Sequence, residues 1–249
     1  MLVGERRELL LARLTAEGKV LAKDVAAELG VSEDSIRRDL RDLAAAGLCQ
    51  RVYGGALPVS PAVADYASRA GIAVDGKDRI AAVAAGLVRP GSTVILDGGT
   101  TTLAVAKALP RDLEATVVTH SPTVAVALLD HAGIEVFLLG GRLFRHSAVT
   151  CGAAAAEAAQ SVSADVFLLG VTGVHPEAGL TTGDAEEAAM KRTLARRAAD
   201  TYVLASAEKI GAASRFTVLP FADVAGVITD SGDQNVQELA DLGVPILRA

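Results

Sequence analysis

The ten residues Val31–Leu40, VSEDSIRRDL, place two adjacent arginines on a short helical stretch near the start of an apolar chain. Ser32 carries the short hydroxyl favoured at a helix N-cap, and Glu33 and Asp34 complement the positive end of the helix dipole. At about 100° per residue, Ile36, Leu40 and Leu43 fall in one narrow sector and must face a core. Arg38 lies nearly opposite that sector, with Asp34 and Arg41 beside it and Arg37 on the flank. The helix runs to about Ala46, and Gly47 follows where a left-handed residue closes a helix. Two readings are open. A solvated face would pair Asp34 with Arg38, or Arg38 with Asp42, one turn apart. A helix that enters a major groove would send the guanidiniums to phosphates or guanine edges, with Ser32 and Ser35 adding short contacts beside the exposed first-turn amides.

The flanking sequence favours the groove. Residues 5–17 set Leu9, Leu10 and Leu14 on one side of a helix that Gly18 breaks. Residues 20–29 repeat the pattern with Leu21, Val25 and Leu29, and Gly30 stops it. After the third helix, LCQRVYGGALPV (48–59) gives two short β-like runs around Gly54-Gly55, with Arg51 and Tyr53 placed as on a wing. Three helices followed by a hairpin outline a winged helix-turn-helix.

The run VSEDSIRRDLRDLAAAGLCQRVYGGA, within a continuous match over residues 5–57, resembles the N-terminal module of the DeoR family of bacterial transcriptional regulators. Members share a serine-initiated recognition helix reading T-I-R-R-D-L, then a leucine, a glycine and an R-x-x-G-G-A wing. Ser35 stands where threonine is usual and keeps the hydroxyl. The resemblance implies that Ser35, Arg37 and Arg38 contact DNA, with Arg51 and the Gly54-Gly55 turn in the wing. The full expected DNA-contacting set is Ser32, Ser35, Arg37, Arg38, Arg41, Arg51, Tyr53, Gly54 and Gly55.

Composition bounds the remainder. A chain of 249 residues has room for a small domain and a medium one. With 51% hydrophobic but only 3% aromatic residues, its core must be built from Ala, Val and Leu, which suits buried parallel strands. The net charge of −6 lies entirely outside residues 1–57, where nine basic and nine acidic residues balance. Affinity for a polyanion must therefore be local. Cys49 and Cys151 form neither a disulfide framework nor a zinc spacing, and read as buried or idle thiols. Glu5-Arg6-Arg7-Glu8 precedes any apolar run, so no signal peptide is expected. The longest uncharged apolar tract, 115–129, is too short to span a bilayer, and a cytoplasmic protein is expected.

Residues 58–74, with two prolines and several alanines, read as a linker. From Asp75 onward, strand-like runs at 93–97, 116–120, 135–140, 165–171, 201–206, 224–229 and 244–247 alternate with helical stretches at 75–88, 101–109, 122–131, 151–161, 183–199 and 234–241. This alternation implies βαβ units and a mostly parallel sheet. The expected class is α/β: a winged helix-turn-helix domain (1–57), a linker (58–74), and a Rossmann-like effector-sensing and oligomerisation domain (75–249).

The segment ILDGGTTTLAVAKAL (95–109) reads as a strand, a glycine pair, three threonines and a helix. Glycines allow close backbone approach, and the helix-start amides with Thr100, Thr101 and Thr102 suit a phosphate. It is neither a Walker A loop nor a dinucleotide turn. Loops after other strands converge on the same crevice in an open parallel sheet, which makes Arg142 and Lys209 candidate partners for an anion, and Lys191, on the helix that GLTTGDAEEAAMKR enters, is a third.

Here the resemblance continues over 75–249. ILDGGTTTLAVAKAL, VTHSPTVA, VFLLGGRL, GLTTGDAEEAAMKR, VLASAEKIG and GVITD are similar to the DeoR-family effector domain, which is related to ribose-5-phosphate isomerase and CoA-transferase-like folds. It implies a sensor of phosphorylated sugars or sugar-derived metabolites whose phosphate sits on the glycine-threonine loop. His120 departs from a common asparagine, and Ser206-Ala207-Glu208-Lys209 departs from a typical Asp-Ser-Ser-Lys. The expected effector set is Asp97, Gly98, Gly99, Thr100, Thr101, Thr102, His120, Gly141, Arg142, Lys191 and Lys209.

Catalysis is the competing reading: a sugar-phosphate isomerase-like or transferase-like enzyme fused to a DNA-binding module. Asp97, Glu186, Glu187 and Asp230 offer general bases. Yet there is no nucleophile motif, and His120, His131, His146 and His175 show no metal-ligand spacing; His131 and His146 read as surface residues. The expectation is therefore a ligand-responsive repressor, not an enzyme, with no metal and no cofactor. Its expected partners are double-stranded operator DNA, a phosphorylated effector and copies of itself, as dimer or tetramer, because one recognition helix buries too little surface for operator affinity. No membrane partner is expected.

Overall fold

The computed structural model describes the main chain of residues 1–249 and the side chains of all but 233–235. The N-terminal unit comprises α1 (Val3–Glu17), β1 (Val20–Leu21), α2 (Ala22–Leu29), α3 (Glu33–Ala45), β2 (Gln50–Val52) and β3 (Gly55–Leu57). Leu10, Leu14, Val25, Ile36, Leu40 and Leu43 close its core, so the apolar stripe read from the sequence is the buried one. The three strands form an antiparallel sheet in the order β1-β3-β2. Helical periodicity runs through Val20 and Leu21, but these two residues pair with Ala56 and Gly55 because Val20 is buried as a strand residue in the same core. Gly55 sits so close to the Val20 carbonyl that a Cβ would stand 1.8 Å from the oxygen. Only glycine fits there.

Residues 58–74 hold a 3-10 turn (Pro61–Val63) and α4 (Tyr66–Ala70). The α4 segment lies against the larger unit: Tyr66 Oη and Thr123 Oγ1 are 2.9 Å apart, and the Arg69 guanidinium donates to the His146 carbonyl at 3.2 Å. There follow α5 (Val74–Ala85), β4 (Thr93–Leu96), α6 (Thr100–Ala108), β5 (Ala115–Thr119), α7 (Pro122–Ala127), β6 (Ile134–Leu138), β7 (Arg142–Phe144) and β8 (Val149–Cys151). The chain continues through α8 (Ala153–Gln160), β9 (Ala164–Gly170), β10 (Gly173–His175), β11 (Gly179–Thr182), α9 (Ala185–Ala195) and β12 (Ala198–Leu204). It ends with β13 (Phe216–Thr217), β14 (Gly226–Thr229), α10 (Asp233–Asp241) and β15 (Ile246–Arg248).

Seven strands form one parallel sheet in the order β15-β14-β12-β9-β4-β5-β6. One face carries Ile95, Phe167, Leu169 and Val203 under α8 and α9, and the other carries Val94, Leu96, Leu168 and Leu204 under α5 and α6. The expected α/β class is thus realised. Strand order reverses between β4 and β9, and such a reversal opens a crevice at the carboxyl ends of the two strands.

Local periodicity misplaces three features. The helix expected over 183–199 stops at Ala195, because Ala198 and Asp200 pair with Ala164 and Val166 and are drawn into β12. Two antiparallel excursions, β7-β8 and β10-β11-β13, are too short to register as alternation. His131, expected on the surface, is buried with its Nε2 3.1 Å from the Leu109 carbonyl. His146 is exposed, as expected.

Candidate DNA-binding face and effector pocket

At α3 the Ser32 hydroxyl accepts from the Ser35 amide at 3.3 Å, and the two hydroxyls lie 2.9 Å apart. The predicted cap exists, and it engages both serines of the expected set. The ion pairs differ from those the sequence suggests. Arg37 pairs with Glu33 at 2.6 Å, whereas Arg38 and Arg41 are exposed with no ion pair among the described residues. Asp42 instead takes Arg7 from α1. Asp39 is buried and binds Arg6 and Arg7, locking α3 to α1. Of the α3 acids, Glu33, Asp39 and Asp42 are thereby paired, Asp34 stays exposed, and the Arg38 and Arg41 guanidiniums carry no ion pair among the described residues. On the hairpin, Arg51 and Tyr53 are exposed and Gly54 forms the turn.

The second site lies at the strand-order reversal. Gly98 and Gly99, between β4 and α6, and Thr100 and Thr101 at the start of α6 line a crevice with Gly170–Thr172 at the end of β9, and with Lys191 and Lys209. Gly99 adopts φ +121°, open to glycine and strained for other residues. Beneath the loop, Asp97 is fully buried and accepts from Lys191 Nζ at 2.5 Å, His120 Nε2 at 2.8 Å and the Gly170 amide at 2.8 Å. Burial alone would raise this carboxyl, but Lys191 and His120 hold it down at about 2. Lys191 also reaches Glu187 at 3.2 Å, and these partners raise its ammonium against burial. Lys209 differs. It donates to Thr101 Oγ1 at 3.3 Å, and burial, with Lys77, Arg69 and Lys191 nearby, lowers its ammonium to about 8 against the pull of Glu208.

Of the expected effector residues, Gly98, Gly99, Thr100, Thr101, Lys191 and Lys209 line the crevice. Asp97 and His120 lie behind it, and the Thr102 hydroxyl is turned to the Gly99 carbonyl. Gly141 and Arg142 stand apart, with Arg142 exposed and paired to Glu186. The sequence reading missed Arg69 and Lys77. Arg69, from the stretch read as a linker, lines the crevice with a buried Nε that has no hydrogen-bond partner among the described residues, and burial lowers its guanidinium. Lys77 Nζ donates to the Arg69 carbonyl at 2.6 Å. No local pattern marks either residue. The crevice encloses about 20 Å³, room for about one water.

Little here supports turnover. Glu187 is bound to Lys191 and Ser147, Glu186 to Arg142, and Asp230 accepts from Arg79 and the Ala207 amide. Burial raises both thiols, Cys151 to about 11, so neither is a ready nucleophile. No group of three or more His, Cys, Asp or Glu among the described residues is arranged to hold a metal.

Comparison with known proteins agrees. The model of the DeoR-like helix-turn-helix domain matches residues 6–62, and that of the DeoR C terminal sensor domain matches residues 72–231. The chain belongs to the DeoR family. Its DeoR-type architecture makes it a DNA-binding transcriptional regulator and not an enzyme. Among its relatives, the HTH-type transcriptional repressor GlcR of Bacillus subtilis is 32% identical over 91% of this chain and 88% of that protein. The HTH-type transcriptional regulator GlpR of Haloferax volcanii is 31% identical over 99% and 98%. Among solved structures, a ribose 5-phosphate isomerase A of Methanocaldococcus jannaschii aligns with TM-score 0.41 and 17% identity, over 55% of this chain and 54% of that one. No helix among the described residues is long and apolar enough to cross a membrane.

Proposed function

We propose that this DeoR-family regulator is a cytoplasmic repressor that leaves its operator when a phosphorylated sugar or sugar-derived metabolite binds the sensor crevice. Ser32, Ser35, Arg37, Arg38, Arg41, Arg51 and the wing turn carry the DNA contacts, and the protein acts as a dimer or tetramer that presents paired heads. The observation that carries the reading is the crevice at the strand reversal. Lys209, Lys77 and Arg69 meet there beside the helix-start amides of α6, and Lys209 is held charged at a cost that an anion would relieve.

The same geometry supplies a coupling route. The crevice encloses about 20 Å³, less than a sugar phosphate fills, so seating one fully within it displaces a wall. Arg69 and Ile72 form the wall that belongs to neither the sheet nor its helices, and they sit on the segment joining sensor to DNA-binding head. An effector that draws the Arg69 guanidinium onto its phosphate moves that segment, and so favours one placement of the heads over another. The DNA half of the reading is tested by Arg38→Ala in an anisotropy titration against the promoter. Loss of roughly 1–3 kcal/mol of binding is expected if Arg38 reads a base. Unchanged affinity removes Arg38 from the interface.

A further inference from the structure

Glu208 is the one carboxylate of the crevice whose oxygens are not both engaged. It lies in the 3-10 turn Ala207–Lys209 after β12. Its Oε1 accepts from the Ser206 hydroxyl at 2.6 Å, while its Oε2 is buried and has no hydrogen-bond partner among the described residues. A carboxyl oxygen kept from water without a hydrogen-bond partner is unfavourable, and a ligand that brings a donor removes that penalty. Glu208 lines the crevice and also an adjoining cavity of about 590 Å³, bounded by the C-terminal end of α1, Pro58, Pro61 and His175. It therefore stands where a ligand anchored at the phosphate loop would extend toward the DNA-binding head.

We propose that Glu208 is a specificity residue, its Oε2 accepting a hydrogen bond from a hydroxyl of a phosphorylated polyol or sugar whose phosphate lies on Gly98–Thr101. The inference rests on the phosphate reading above and deepens it. A neutral hydroxyl fits better than an ammonium, because Lys77 and Lys209 lie close enough to the carboxylate to feel its charge and repel a further cation. A site built around such an acceptor discriminates strongly against analogues that lack the hydroxyl, since the acceptor is then left buried and unpaired.

The test is calorimetry on the full-length protein. The probes are inorganic phosphate, n-propyl phosphate, glycerol 3-phosphate, ribose 5-phosphate, glucose 6-phosphate, fructose 6-phosphate and glucosamine 6-phosphate. At least one hydroxylated phosphate is expected to bind about tenfold or more tightly than n-propyl phosphate. Glu208→Ala should collapse that ratio while still binding n-propyl phosphate, which shows that the variant is folded; if it does not fold, Glu208→Ser carries the same comparison. If no hydroxylated phosphate outbinds n-propyl phosphate, or if the ratio survives both substitutions, the assignment of Glu208 is overturned and the phosphate reading stands. A preference for glucosamine 6-phosphate over glucose 6-phosphate that Glu208→Ala abolishes overturns the hydroxyl in favour of an amine. If inorganic phosphate and n-propyl phosphate both fail to bind, the phosphate reading falls too.

Discussion

Replacing Lys209 by methionine removes a charge that the folded protein holds against its preference. The ammonium titrates at about 8 rather than the ordinary 10.5, chiefly because it is buried, with Lys77, Arg69 and Lys191 adding to the effect and Glu208 opposing it. At about 1.4 kcal/mol for each tenfold change in proton affinity, carrying that proton costs the folded state about 3 kcal/mol. Below pH 8 both folded and unfolded chains are protonated, so the cost is fully present. Between pH 8 and 10.5 the folded chain gives up the proton first, and stability climbs with pH; above 10.5 the cost is gone. Lys209→Met loses only the hydrogen bond to Thr101 and keeps the volume of the side chain. The variant should therefore exceed the parent by about 3 kcal/mol at pH 7 and by about 2 kcal/mol at pH 9, read from urea unfolding of the ligand-free protein. It should also lose affinity for phosphate. A variant no more stable than the parent at pH 7, or a gap that does not shrink by pH 9, refutes the reasoning.

Asp39→Ala should destabilise the winged helix by about 3 kcal/mol, the lower end for a broken buried ion pair because Arg7 keeps Asp42. Urea unfolding with promoter affinity as a second readout checks it, and an unchanged midpoint sinks the α1–α3 lock. Thr101→Val removes a hydroxyl from the crevice and should leave promoter affinity intact while abolishing the metabolite response. A normal response refutes the assignment of the loop.

What the sequence made legible follows the range of the forces involved. The α3 ridge was readable because 3.6-residue periodicity, a serine cap and a closing glycine all act within one helix. The α/β class was readable because buried parallel strands need runs of Val, Ile and Leu. The pairing of Asp39 was not legible locally, since it depends on two arginines more than thirty residues earlier. Lys191, read on a helix, and Lys209, read after a strand, both line the crevice, but their different electrostatics were invisible: Lys191 gains Asp97 and Glu187, while Lys209 faces other cations. Arg69 escaped because a Pro- and Ala-rich stretch reads as a linker, and only tertiary packing brings α4 over the crevice. Arg142 was drawn in by the convergence of loops, yet the short β7-β8 excursion carries it outward to Glu186.

The measurement that bears most directly on the account is promoter affinity at fixed salt, with and without a phosphorylated sugar that calorimetry has shown to be bound. A coupling of about 1–3 kcal/mol is expected, which weakens DNA binding about fivefold or more on saturation. Promoter affinity that stays constant with the crevice occupied would contradict the claim that this pocket governs the grip of α3 on DNA.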